Sequence, residues 1–226
     1  MSRQSFLSLT KNQSWMNDEL LDDYILAHID PEPPLLHSLY RATQLHLLYP
    51  RMASGHLQGR LLKMLVEMIR PRRILELGTF SGYSAICMAE GMPEGCELHT
   101  IEVNDEQEPF TRPWLERSPH ADRIHLHIGD ALELVPQLGE QFDLVYMDAD
   151  KRRYDDFYRL VLPYVTTGGY IIADNTLWDG HVVDPHHQHD AQTQGILRFN
   201  DLVAKDDTVE KVILPLRDGL TLIRKK

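Results

Sequence analysis

The chain is 226 residues long, 42% hydrophobic and 25% charged, a balance that excludes a disordered, collagen-like or membrane-spanning protein. Its formal net charge of −11 makes the average field repel phosphate-rich polymers, so nucleic acid is a disfavoured partner. Two cysteines, Cys87 and Cys96, lack metal-ligand spacing and point to a reducing compartment, the cytoplasm, and residues 1–22 hold no long apolar run to serve as a signal or an anchor.

Residues 17–70 read as three helices. Asp18 precedes LLDDYILAHI, where Leu20, Leu21, Tyr24, Ile25 and Ile29 recur at helical spacing, and the PEPP run at 31–34 ends the helix. A second apolar-periodic run, Leu35 to Leu48, stops at Tyr49-Pro50, and a third, Leu57 to Ile69, stops before Pro71. All three are expected to act as helical cover for a core that follows.

From Arg73 the pattern changes to short strand-like runs alternating with helical ones. The strands are ILEL (74–77), ELHTIE (97–102), IHLHI (124–128), DLVYM (143–147) and YIIA (170–173), separated by helices near 82–91, 105–117, 131–137 and 152–162. A further helix follows a Gly/His/Asp-rich loop from 176 to about 193. VEKVILPL and GLTLIRKK then flank Arg217-Asp218-Gly219, a hairpin signal. The expected fold is α/β: a doubly wound, Rossmann-like, mostly parallel seven-stranded sheet with an antiparallel C-terminal hairpin strand and extra N-terminal helices. It reads as one domain over 1–226, with 1–70 as cover and 71–226 as the core that binds ligands.

Chemistry concentrates where strands end. ELGTFSGYS (76–84) follows the first strand, at the expected topological switch point of a doubly wound sheet. Its glycines are spaced Gly78-x-x-x-Gly82, which departs from the G-x-G-x-x-G that wraps a pyrophosphate. Glu102 ends the second strand, twenty residues after Gly82, as suits an acceptor for ribose hydroxyls. A ribose without a pyrophosphate suggests an adenosine ligand such as S-adenosylmethionine. The plainer alternative is a helix behind a Gly-rich turn and a solvated glutamate.

Two more strand ends carry oxygen ligands: Asp148, Asp150 and Lys151 in YMDADK, and Asp174-Asn175 in ADNTLWDG. If these strands are neighbours, Asp148, Asp174 and Asn175 converge on one crevice, and two carboxylates with an amide carbonyl suit a hard cation such as Mg²⁺, with Ca²⁺ or Mn²⁺ as alternatives. The competing reading is N-capping by the aspartates and ordinary turn chemistry at Asp174-Asn175. Lys151 is a solvated helix residue when read alone and a general base if a substrate hydroxyl lies beside it. His181, His186, His187 and His189 with Asp184 show no regular ligand spacing and read as a loop. His125 and His127 alternate with apolar residues as on a half-exposed strand, and Cys87 reads as packing.

Taken in order, ELGTFSGYS, IEVN, GDA (129–131), DADK, DNTLWDG and LPLRDGLTLI resemble the cation-dependent class I O-methyltransferases related to caffeoyl-CoA and catechol O-methyltransferases. The resemblance runs from about residue 18 to the end of the chain and includes MASGHLQG (52–59). It implies that Ser54, Glu76, Gly78, Thr79, Ser84 and Ala131 line an S-adenosylmethionine pocket, that Glu102 holds the ribose, and that Asp148 lies near the cofactor's ammonium. It also implies a divalent metal on Asp148, Asp174 and Asn175, Lys151 as general base, Trp178 at the edge of the substrate pocket, and a homodimer. The expected reaction is methyl transfer to a hydroxyl of a small catechol-like molecule. Asp179 stands where plant enzymes tend to carry asparagine, so their substrate identity does not carry over. Methylation of hydroxyuridine in transfer RNA is the alternative, through a patch around Arg41, Arg51, Arg152 and Arg153. A nicotinamide-dependent oxidoreductase is a remoter one.

Overall fold

The computed structural model describes residues 18–226; the reading of the N-terminus as neither signal nor anchor falls largely outside them. Three helices come first: α1 (Asp18–His28), α2 (Pro34–His46) and α3 (Gly55–Ile69). The alternating region then gives β1 (Arg73–Leu77), α4 (Tyr83–Glu90), β2 (Glu97–Glu102), α5 (Glu108–Glu116), β3 (Ile124–Ile128), α6 (Ala131–Leu138), β4 (Phe142–Met147), α7 (Tyr154–Val161) and β5 (Val165–Asp174). Helix α8 (Ala191–Lys205) and the hairpin β6 (Val209–Leu214) and β7 (Leu220–Lys225) complete it.

The seven strands run in the order β3-β2-β1-β4-β5-β7-β6. All neighbours are parallel up to β5, and β7 is antiparallel to both β5 and β6. The chain winds outward from β1 through β2 to β3, then returns to β4 on the other side of β1. That reversal puts a crevice between the carboxyl ends of β1 and β4.

Side-chain alternation builds a core on each face of the sheet. Ile74, Leu98, Leu144 and Tyr146 pack with Leu36 and Leu39 of α2, Leu62 and Val66 of α3, and α4. On the other face Leu75, Val145 and Met147 pack with Val135 of α6, Phe157 and Val161 of α7, and Phe199 of α8. Each fully buried aliphatic or aromatic side chain contributes roughly 1.5–3 kcal/mol relative to exposure, so this three-layer arrangement holds the strand ends in fixed register. Cys87 and Cys96 are buried free thiols, and His125 and His127 are half-buried on β3.

Three sequence expectations change. Helix α1 forms but does not cover the core: Leu20, Leu21 and Tyr24 remain 65%, 57% and 61% exposed, because α1 packs against α3 and turns Ile25 and the following Ile29 partly inward. Strand β5 begins at Val165, five residues before YIIA; Gly168-Gly169 looks like a break in sequence, but a register shift between Phe142 and Leu144 of the partner strand absorbs it. The helix expected near 152–162 starts at Tyr154, after a 3₁₀ turn over Lys151–Arg153. Among the described residues no helix is long and apolar enough to cross a membrane.

Candidate active site

The turn after β1 makes the floor of the crevice. Gly78 has φ +96, and a Cβ there would lie 2.1 Å from the carbonyl oxygen of Asp148, so only glycine lets the ends of β1 and β4 approach this closely. Asp148 N–H donates to Leu77 O at 2.8 Å across the same junction. Gly82 follows at φ +84 and leads into α4. Ser54, Gly78, Thr79, Ser84 and Asp148 line one pocket here, together with Met52 and Phe80.

Glu76 lies beneath this floor, with no exposure. Ser84 Oγ donates to its Oε1 at 2.5 Å and Thr100 Oγ1 to its Oε2 at 2.6 Å, and Thr100 also meets Thr79 Oγ1 at 2.5 Å. The carboxyl therefore braces two pocket-lining hydroxyl residues from below. Burial pushes its pKa up to about 8, against the lowering effect of the Ser84 and Thr100 hydrogen bonds.

Glu102 sits at the end of β2 with both oxygens anchored. Phe80 N–H donates to Oε2 at 2.8 Å and Asn104 N–H to Oε1 at 2.9 Å. Each oxygen keeps acceptor capacity for a further donor, as a ribose diol requires. Gly129 N–H donates to Glu102 O at 2.8 Å, which brings Ala131, the first residue of α6, to the same strand end.

At the carboxyl ends of β4 and β5 the second group assembles. Met147 pairs with Ala173 in the sheet, so Asp148 and Asp174 leave from neighbouring strands. Tyr154 Oη donates to Met147 O at 3.2 Å and Asp174 O at 3.0 Å, tying the two exits together. Asp174 is 3% exposed. Its Oδ2 accepts from Gln58 Nε2 at 2.5 Å and Tyr146 Oη at 2.8 Å, and its Oδ1 from Asn175 N–H at 2.8 Å. Burial raises its pKa, the Asp148 charge adds to this, and Lys151, Gln58 and Tyr146 oppose it.

Lys151 is not the solvated helix residue of the plain reading. It is 7% exposed, and its Nζ donates to Asp148 Oδ1 at 2.5 Å and Ala149 O at 3.1 Å. Capping falls to Asp150, whose carboxylate accepts from Arg152 N–H at 3.1 Å and pairs with the Arg152 guanidinium. Asn175 takes φ +58, and its Nδ2 donates to Asp218 Oδ2 at 3.4 Å. Among the described residues no hydrogen bond engages its Oδ1.

Among the described residues no three His, Cys, Asp or Glu side chains form a metal-binding group. The predicted set asks for only two, plus an amide oxygen. Two carboxylates at neighbouring strand ends, Asp148 paired with Lys151 and Asp174 held by Gln58 and Tyr146, and an amide whose nitrogen is already engaged fit a hard divalent cation. In the His-rich loop, His181 stacks on His187 at 3.7 Å and Asp184 accepts from His186 N–H at 2.9 Å, a local turn.

Comparison with known proteins decides the family. A model of the O-methyltransferase family matches residues 27–226. The chain belongs to this family of O-methyltransferases.

Relatives agree with the assignment. The chain is 31% identical over 229 residues to a caffeoyl-CoA O-methyltransferase of Eucalyptus gunnii, covering 95% of this chain and 90% of the relative. It is 32% identical over 182 residues to a catechol O-methyltransferase of Niastella koreensis, covering 76% and 82%. An O-methyltransferase from Bacillus cereus solved with SAH superposes with a TM-score of 0.85 at 29% identity, over 92% of this chain and 97% of the other. TomG from Streptomyces achromogenes, solved with SAM, superposes with a TM-score of 0.84 at 30% identity, over 91% and 96%. The methyltransferase is S-adenosylmethionine-dependent, and the nicotinamide reading falls away.

Three residues of this methyltransferase's site escaped sequence reasoning: Gln58, Tyr146 and Arg217. Arg217 Nη1 donates to Gln58 Oε1 at 3.1 Å, and Gln58 Nε2 in turn donates to Tyr146 Oη at 3.0 Å. A signal for Gln58 existed. It occupies the stripe of Leu62 and Val66 on α3, where a polar side chain facing a core needs a partner.

Proposed function

We propose that this enzyme methylates one hydroxyl of a small catechol-like molecule, with Ser54, Glu76, Gly78, Thr79, Ser84, Glu102, Ala131 and Asp148 serving S-adenosylmethionine. In this reading Asp148, Asp174 and Asn175 hold a divalent cation, Mg²⁺ foremost. The observation that carries the proposal is buried Lys151 paired with half-buried Asp148 beside buried Asp174, at the strand ends next to the Gly78 turn. The caffeoyl-CoA and catechol enzymes among the relatives supply the acceptor class.

When bound, the sulfonium of S-adenosylmethionine supplies a methyl group already activated for transfer, and the cation supplies Lewis acidity to a nearby hydroxyl. The chain's residues do the rest. Glu102 and the Gly78 turn orient the donor, and the braced hydroxyls of Thr79 and Ser84 hold its pocket in shape. Lys151 Nζ is the group placed to take the phenolic proton, and Asp148 Oδ1, 2.5 Å away, holds the resulting ammonium. No covalent intermediate is needed. A transfer-RNA acceptor has less support, since Arg152 and Arg153 are already paired with Asp150 and Asp130 and the chain carries −11.

A labelled-methyl assay across catechols, catechol thioesters and hydroxylated transfer RNA, with and without chelator, tests the proposal. Catechol-type acceptors should be methylated, the activity should vanish in excess chelator, and added Mg²⁺ should restore it. Undiminished transfer in chelator refutes the cation; transfer to RNA alone refutes the acceptor.

A further inference from the structure

The turn of the C-terminal hairpin touches both walls of the site, although the reading above gives it no role. Arg217, at φ +48, sends its Nη1 across to the start of α3. There it donates to Ser54 O and, at 3.1 Å, to Gln58 Oε1, with Ala53 O at 3.4 Å. Ala53 and Ser54 line the cofactor pocket. On its other flank the turn is zipped to the loop after β5: Leu177 N–H donates to Asp218 O at 2.8 Å, and Thr176 N–H to Gly219 O at 3.0 Å. A Cβ on Gly219 would lie 2.5 Å from the Leu177 side chain, so this junction admits only glycine.

The Gln58 amide links Arg217 to Asp174. An amide has a donor end and an acceptor end, and neighbours decide which way it points. Here the cationic Arg217 claims Oε1, which commits Nε2 to Asp174 Oδ2 at 2.5 Å. Turned over, the amide would set its oxygen against the carboxylate. We propose that Arg217 is a positioning residue: it clamps the start of α3 over the cofactor pocket and, through Gln58, fixes the Asp174 carboxylate. The second half rests on the cation reading of Asp174.

The test measures SAH affinity by calorimetry and Mn²⁺ affinity by electron paramagnetic resonance on the full chain. Arg217→Met should weaken SAH about five- to tenfold, by loss of the hydrogen bonds that hold the pocket wall. It should weaken Mn²⁺ about 10–100-fold, the usual effect of removing a partner of a ligand. Gln58→Leu should weaken Mn²⁺ by a similar factor and leave SAH within twofold, a split that a merely structural role would not produce. Arg224→Met, which cuts the exposed Arg224–Glu210 pair of the same hairpin, should change neither. If Arg217→Met does not fold, Arg217→Lys, which keeps the charge but loses the planar fork, should show the same ordering with smaller changes. Wild-type affinities in Arg217→Met, or equal losses in Arg224→Met, overturn the proposal. If the wild type itself binds no Mn²⁺ while Arg217→Met still loses SAH, the cation reading and the Asp174 half fall together and the clamp on the pocket stands.

Discussion

Replacing Glu76 by glutamine separates the carboxyl's charge from its shape. In the native state burial pushes the group from an ordinary 4.5 to about 8. The unfolded chain therefore releases this proton near 4.5 while the folded chain keeps it until about 8. Between those values the native state binds the extra proton, so Glu76 makes stability fall as pH rises; below 4.5 both states are protonated and the effect disappears. Each pH unit inside the window is worth about 1.4 kcal/mol, so the wild type should lose on the order of 4 kcal/mol relative to Glu76→Gln between pH 5 and pH 8. The amide can reproduce the neutral acid's bonds, accepting from Ser84 and donating to Thr100, because the Thr79–Thr100 hydroxyl pair can run in either direction. Urea unfolding of both proteins at pH 5, 6, 7 and 8, without cofactor, measures the difference. A stability gap that stays constant across that range refutes the reasoning and shows that the Ser84 and Thr100 hydroxyls keep Glu76 ionised throughout.

Other perturbations reach the remaining parts of the site. Glu102→Ala removes the proposed ribose acceptor and should weaken SAH binding by about 1.5–3 kcal/mol in calorimetry; equal affinity would show that the ribose sits elsewhere. Lys151→Met should lower kcat by about 10²–10⁴ and recover part of it as pH rises and the phenol ionises unaided, with SAH affinity little changed; wild-type turnover at neutral pH would remove Lys151 from the proton transfer. Gly78→Ala forces a Cβ to within 2.1 Å of Asp148 O and should abolish SAH binding while spreading the β1 and β4 ends, readable as a lower Tm.

The strands were legible because each carries its own evidence: β2 and β3 begin and end where the alternation does. β5 was half-hidden, since Gly168-Gly169 looks like punctuation until the partner strand's register shift accommodates it. Asp148, Asp174 and Asn175 could be read as a group from their strand-end positions alone. Tyr146 could not, because within an apolar strand a tyrosine reads as core until its hydroxyl is seen against Asp174. Arg217 was hidden by distance along the chain: its partners Ser54 and Gln58 lie more than 150 residues away, and no local pattern encodes such a contact. α1 shows the converse error, an apolar stripe with helical spacing that the fold leaves largely in solvent.

The sheet order carries a consequence for how this site comes into being. Among the described residues β6 pairs in the sheet with β7 alone, while β7 bridges β6 to β5. β7 is therefore the hairpin's link to the rest of the sheet, and the hairpin turn makes the contacts to the α3 start and the Leu177 loop. Without those contacts, a chain could possess the Gly78 turn, the Glu102 anchor and every parallel strand and still have two unfastened walls. The pocket walls are thus fastened by the end of the chain, although the Gly78 turn and the Glu102 anchor come from segments that pair earlier in sequence.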